Sequence, residues 1–297
     1  MPLDQVSNED IAQAEFDEQG NLRNPKAERE MSFLEHLEEL RWHIIRSLIA
    51  LILFTFVAFS FGQWIFTHIV FAPAKTNFWT YRMMCALGDL VGAPFLCVKK
   101  LDFILQSRLL TGQFMMHITA SFVIGLIVSF PYIFWEIWRF VKPALHNKEQ
   151  KVANGAVFFV SVLFFIGVLF GYYVVAPLSI NFLASYQISP EIRNEFDIVS
   201  YVSVLATLVV GCAILFQLPV IVYFLAKVGV VTPKFMRTYR RHAILIIFFI
   251  AAIITPSPDV FTQLLVAMPI LVLYEVSISI AASVERHKAK QEIVSAD

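Results

Sequence analysis

Residues Ser32–Arg46, SFLEHLEELRWHIIR, run straight into Ser47–Gly62, SLIALILFTFVAFSFG, and that junction decides the fold. Ser32 with Glu35 three positions on is a capping-box pattern, so a helix is expected to start there. Leu37, Leu40 and Ile44 share one face at helical spacing, and Glu35, Glu38, Glu39 and Trp42 share another. The following stretch carries no charge. A row of carboxylates is thus held where a helix enters hydrocarbon. A carboxylate there can grip a guanidinium through two parallel charge-assisted hydrogen bonds. Geometry alone favours the plainer reading, a solvated helix end whose Glu residues pair with Arg41 and with lipid-facing cations.

The composition of the chain agrees. Of 297 residues, 58% are hydrophobic, 15% charged and 29 are Phe. Soluble domains carry about 25% charge and seldom exceed half apolar residues. An all-α, multi-pass integral membrane protein follows. The formal net charge is +0, which offers no basic field for nucleic acid. Residues 1–31 are polar and acidic, without an apolar signal-peptide core, and read as a disordered cytoplasmic tail. Residues 32–285 form the membrane domain, and 286–297 a second cytoplasmic tail. No internal repeat is visible, which weakens an inverted-repeat transporter.

Six spans are expected, at about 44–66, 114–134, 153–177, 199–226, 243–254 and 261–282. The fifth is too short to cross a hydrocarbon core about 30 Å thick, and Pro269 and Glu275 weaken the sixth. Such a short pair either thins the bilayer, is shielded by partners, or forms a re-entrant hairpin. Of the 23 lysines and arginines, only Lys75, Arg82, Lys99, Lys100, Arg108 and Arg193 fall on the outer side when both ends are cytoplasmic. The positive-inside rule therefore favours N-in and C-in.

Several residues stand out from this pattern. Cys85 and Cys97 lie in the long loop Thr67–Gln113; they form either a disulfide or two free thiols. Gln217 precedes Pro219, which frees an upstream carbonyl, so the amide is expected to bond the opened turn. Asp259 follows a rigid Pro256-Ser257-Pro258 turn and is expected to cap the sixth helix. Glu275 lies within the sixth span, where an ionisable group is a functional candidate or a helix-packing partner. Glu149 supplies a second carboxylate in the loop between spans two and three. No HExxH, GxSxG, CxxC pair or phosphate-binding glycine loop occurs, and the His are scattered. No catalytic residue, metal site or cofactor is expected, so an enzyme is not the reading.

Taken together, the motifs resemble one family. HLEELR at His36–Arg41 is similar to the HLxELR signature of TatC, the multi-spanning core of the twin-arginine protein translocase. Phe140, Pro143, Leu145 and Glu149 match its F-x-x-P-x-L followed by Glu. FFIGVLFGYYVVAPLSINFL at 164–183, FQLPV at 216–220, TPSPDVFTQ at 255–263 and AMPILVLYE at 267–275 match as well. The resemblance implies a six-helix receptor for twin-arginine signal peptides of folded proteins, in a bacterial inner membrane. It implies that Glu39 and Glu149 receive the two arginines, with Arg41, Phe140, Pro143 and Leu145 around them. It implies TatA- and TatB-type single-span partners docking near the short fifth and sixth spans, self-association, and energy from the proton gradient. Gln217 stands where the family commonly has Glu; the long first loop and the acidic tail are extra. A proton-coupled small-molecule transporter is the competing reading, and a structural scaffold the next.

Overall fold

The computed structural model describes residues 15–16, 22–23, 33–93, 97–98, 101, 103–141, 150–189, 191–192, 194–255 and 260–296. The chain divides into two units, Met1–Ile45 and Arg46–Asp297. In the first, β1 (Glu15–Phe16) pairs antiparallel with β2 (Leu22–Arg23). Helix α1 begins there and covers Phe33–Ser60.

In the second unit the chain continues through α2 (Gly62–Ile65) and a π-helical turn at Phe66–Val70. The first helix thus stops at Ser60, not at Phe66 as the apolar run alone suggests. The loop that follows is not plain coil. It holds α3 (Trp79–Val91) and β3 (Ile104–Gln106). Helix α4 (Gly112–Val141) carries Pro131 inside it and extends past Phe134. Helix α5 (Gln150–Phe170) passes through a π-helical turn, Gly171–Val175, into α6 (Ala176–Ser185). After β4 (Glu195–Asp197) come α7 (Ile198–Leu215), α8 (Leu218–Val228) and α9 (Pro233–Thr238). Helices α10 (Arg240–Ile254) and α11 (Val260–Ala296) complete the described chain.

Among the described residues, five helices are long and apolar enough to cross a bilayer. Helix α10 is not one of them: its 15 residues cover about 22 Å against a core of about 30 Å. Helix α11 corrects the expectation of a short sixth element, because it runs for 37 residues. Yet its first charge, Glu275, pairs with Arg240 at the start of α10. The apolar stretch facing α10 is therefore no taller than α10 itself. Pro269 is absorbed within the helix.

Two features join the helices of this unit. Gly167 and Gly171 lie one turn apart and let backbones touch. A Cβ on Gly167 would sit 2.8 Å from Ala213 Cα, and one on Gly171 2.9 Å from Val209 Cα. This is the small-xxx-small contact by which helices associate where hydrophobic exclusion cannot drive them together.

The second feature is a set of tyrosine hydroxyls. Irregular backbone frees carbonyls that no water satisfies. Tyr172 Oη donates to Ile69 O at 2.8 Å and Tyr201 Oη to Val70 O at 2.8 Å, at the end of the first π-turn. Tyr81 Oη lies 2.8 Å from Pro177 O and 3.1 Å from Pro73 O. Burial pushes the Tyr81 hydroxyl well above the usual phenol range, so it stays a donor. Pro177 has no N–H for Tyr173 O, and Thr80 Oγ1 donates to that carbonyl instead.

At the same end, β3 pairs in parallel with β4, joining two loops distant in sequence. Asp197 closes the joint: Oδ1 accepts from Val199 N at 2.8 Å as the cap of α7, and Oδ2 from Arg108 N at 3.0 Å. Cys85 and Cys97 form a disulfide, tying α3 to the chain 12 residues on.

Two outcomes follow. Gly171→Val should cost about 1–3 kcal/mol through overpacking against α7, read as a lower thermal midpoint in detergent. Tyr81→Phe leaves two carbonyls without their donor and should cost about 1–3 kcal/mol in the same assay.

Candidate functional site

The polar start of α1 presents the acidic row. Glu38 pairs with Arg41 at 3.8 Å, and the Arg41 guanidinium lies 5.8 Å from the Trp42 ring centroid. Glu39 Oε1 stands 4.0 Å from His43 Nε2, one helical turn on. The Glu39 side chain is 38% exposed while that of His43 is 8% exposed, so the carboxylate is reachable from solvent on one side and backed on the other. Glu149, Pro143, Leu145 and Asp259 lie outside the described residues. Phe140 is half-buried near the end of α4.

The same end of α4 holds a residue that sequence reasoning passed over. Glu136 is only 1% exposed and accepts a hydrogen bond from Tyr132 Oη at 2.9 Å. The two are spaced one turn apart on one helix face. Two residues on, Trp138 packs 5.1 Å from Phe224 on α8 and 6.2 Å from Phe134 between ring centroids. A lone Glu among Trp135, Trp138 and Phe134 was the available signal. It reads as interfacial until the helix is seen to be packed there.

Gln217 occupies the break between α7 and α8. Its carbonyl accepts from Val220 and Ile221 N, both at 3.0 Å, which starts α8. The side chain does not bond that turn, contrary to expectation. Nε2 reaches across to Val160 O on α5 at 3.4 Å. Oε1 is buried and has no hydrogen-bond partner among the described residues. Proline at the first turn of α8 lacks an N–H, which is why the break can be tolerated without the amide.

Glu275 is half exposed and hydrogen-bonded to Arg240 Nη2. Beside it Tyr274 Oη donates to Met236 O at 2.9 Å, fixing α11 against α9. This is the helix-packing alternative for Glu275. Among the described residues no cluster of His, Cys, Asp or Glu could hold a metal ion.

These motifs now stand on a helical frame with an acidic helix end, a π-turn before Pro177 and a proline break at Gln217. The model of the Sec-independent protein translocase protein TatC matches residues 35–269. The chain belongs to the TatC family. The TatC protein of Blattabacterium sp. subsp. Periplaneta americana is 39% identical over 271 residues, which is 90% of this chain and 100% of that protein. The TatC protein of Helicobacter pylori strain 26695 is 44% identical over 170 residues, 57% of this chain and 66% of that one. A crystal structure of the twin-arginine translocase receptor TatC in DDM superposes with a TM-score of 0.65 at 32% identity, covering 83% of this chain and 99% of that one. Proteins of the TatC family are multi-pass membrane components of a protein translocase in twin-arginine translocation. They form a transport family, not a catalytic one, and the small-molecule transporter reading is set aside.

Gln217→Glu in this TatC-family chain gives a direct check on the cross-helix contact. It replaces the amide donor by a carboxylate facing the Val160 carbonyl, so the cross-helix hydrogen bond is lost and two acceptors face each other. The variant should be less stable by about 1–3 kcal/mol, read as a lower thermal midpoint in detergent.

Proposed function

We propose that this chain is the receptor for twin-arginine signal peptides within its translocase. Glu39 and Glu149 each take one guanidinium of the arginine pair. Phe140, Pro143 and Leu145 shape the loop that carries Glu149, and Arg41 borders the acidic row. The chain spans a bacterial inner membrane six times, counting α10, with both termini in the cytoplasm. TatA- and TatB-type single-span subunits dock on α10 and α11, copies of the chain self-associate, and the proton gradient drives transport of folded clients.

The observation that carries this reading is the state of Glu39. Its carboxylate is half accessible and held on a rigid helix immediately before an apolar span. A carboxylate so placed matches the planar fork of arginine, whereas the compact ammonium of lysine cannot make the same bidentate pair. The docking assignment draws support from the low apolar height of α10, since a helix covering only about 22 Å leaves a mismatch that a neighbouring helix can relieve.

Binding of a fluorescent twin-arginine peptide to the purified full-length chain tests the site. Glu39→Gln and Glu149→Gln should each weaken binding roughly 10- to 100-fold, as expected for losing one charge-assisted pair. A twin-lysine peptide should bind poorly, and affinity should fall as salt rises. Parental affinity in both variants refutes the receptor site.

A further inference from the structure

Helix α3 (Trp79–Val91) has two unlike faces. Thr80, Tyr81 and Gly88 are buried, and Met84 and Cys85 are half-buried beside them. Trp79, Met83, Leu87 and Leu90 recur at helical spacing on the other face and are 46–82% exposed. Arg82 and Asp89 lie one turn-edge away from that stripe, both exposed, on the same flank. Among the described residues, Trp79 meets Tyr173 edge-on at 5.9 Å between ring centroids, and Met83, Leu87 and Leu90 stay exposed. An apolar stripe along the whole helix, with charge confined to one flank, is the pattern of a helix lying in a membrane interface.

The height of α3 points to the occupant. Its first turn is fastened to the span Val157–Ser185 at Tyr173 and Pro177: Phe78 stacks 5.5 Å from Tyr173, Thr80 donates to Tyr173 O, and Tyr81 to Pro177 O. That span has 29 residues, about 43 Å at 1.5 Å per residue against a hydrocarbon thickness of about 30 Å. Pro177 lies about 12 Å before its end, so the beginning of α3 stands near the end of the span, where it approaches the headgroup region. Trp79 at that level suits the aromatic belt. The far end stops cleanly at Gly92, whose left-handed backbone (φ 69°) ends the helix as Ala93 N bonds Gly88 O at 2.8 Å. The Cys85–Cys97 bond ties the inner face to the returning chain, on the side away from the stripe.

We propose that α3 is a lipid-docking helix, with Trp79, Met83, Leu87 and Leu90 seated in the headgroup–acyl boundary of the adjacent leaflet and Arg82 and Asp89 at its polar edge. The occupant is phospholipid of that leaflet, not a second copy of the chain. The contact gives this loop a fixed height beside the bundle, independent of any signal-peptide site.

Depth-dependent quenching tests it. Single cysteines at Met83→Cys, Leu87→Cys, Leu90→Cys and Asp89→Cys are labelled with NBD in full-length protein carrying Cys212→Ala, with the native disulfide kept. The protein is reconstituted in phosphatidylcholine vesicles with or without doxyl groups on the acyl chains. Quenching at 83, 87 and 90 should exceed that at 89 by roughly threefold, with blue-shifted emission. In Leu87→Asp/Leu90→Asp, both exposed positions, the quenching at 83 should fall toward the level at 89. Equally weak quenching at all four positions overturns the proposal in favour of water. A label shielded from lipid quencher, with shielding lost as the lipid-to-protein ratio rises, overturns it in favour of a second copy.

Discussion

Inside a bilayer a backbone carbonyl without a partner has no water to turn to, and this constraint organises the second unit. At the two π-turns, departures from regular helix geometry are met by side chains from elsewhere. The π-turn at Phe66–Val70 is closed by Tyr172 and Tyr201. The carbonyl freed by Pro177 is closed by Thr80. Tyr81 serves Pro73 and Pro177 together, and so joins the loop after the first span to the third. A phenol suits this task, because its ring packs among apolar side chains while its hydroxyl supplies one donor. Irregular backbone can exist at this depth only because these donors are in place.

The glycines act on the same structure from the other side. Gly167 and Gly171 bring α5 and its π-turn against α7 closely enough that backbone, not side chain, forms the contact. Close approach narrows the room for error, so the hydroxyls that reach across nearby arrive at fixed positions. Gly125 does likewise for α1 and α4, since a Cβ there would stand 2.7 Å from Thr55 N. The frame that holds the functional ends is thus set by small residues and satisfied carbonyls rather than by charge.

Three carboxylates show how differently charge is placed. Glu39 is accessible, Glu275 is paired with Arg240, and Glu136 is buried with a hydrogen bond from Tyr132. Three carboxylates in similar apolar company therefore hold three different chemical positions. Local sequence sets Glu39 apart, in a row with Glu35 and Glu38, but does not separate Glu136 from Glu275, each a single acid beside apolar and aromatic neighbours. What separates them is how deeply each is buried and what pairs with it, which depends on packing between residues far apart in the chain.

Much of the architecture was legible in advance. Charge-free runs of about 20 residues mark membrane helices whatever they pack against, because hydrocarbon rejects charge from any direction. The family motifs at His36–Arg41 and 164–183 likewise carry their information locally. The shortness of α10 was visible for the same reason. The GVLFG spacing at Gly167–Gly171 was present too, but a glycine pair says nothing of which helix it meets. The reach of Gln217 to Val160, the pairing of Glu275 with Arg240 and the burial of Glu136 were decided only when helices were set side by side, and the joining of Cys85 to Cys97 only when the two thiols met in space. Hydropathy is a property of each residue and survives in one dimension; a hydrogen bond, an ion pair or a seal against water belongs to two residues at once and exists only in three.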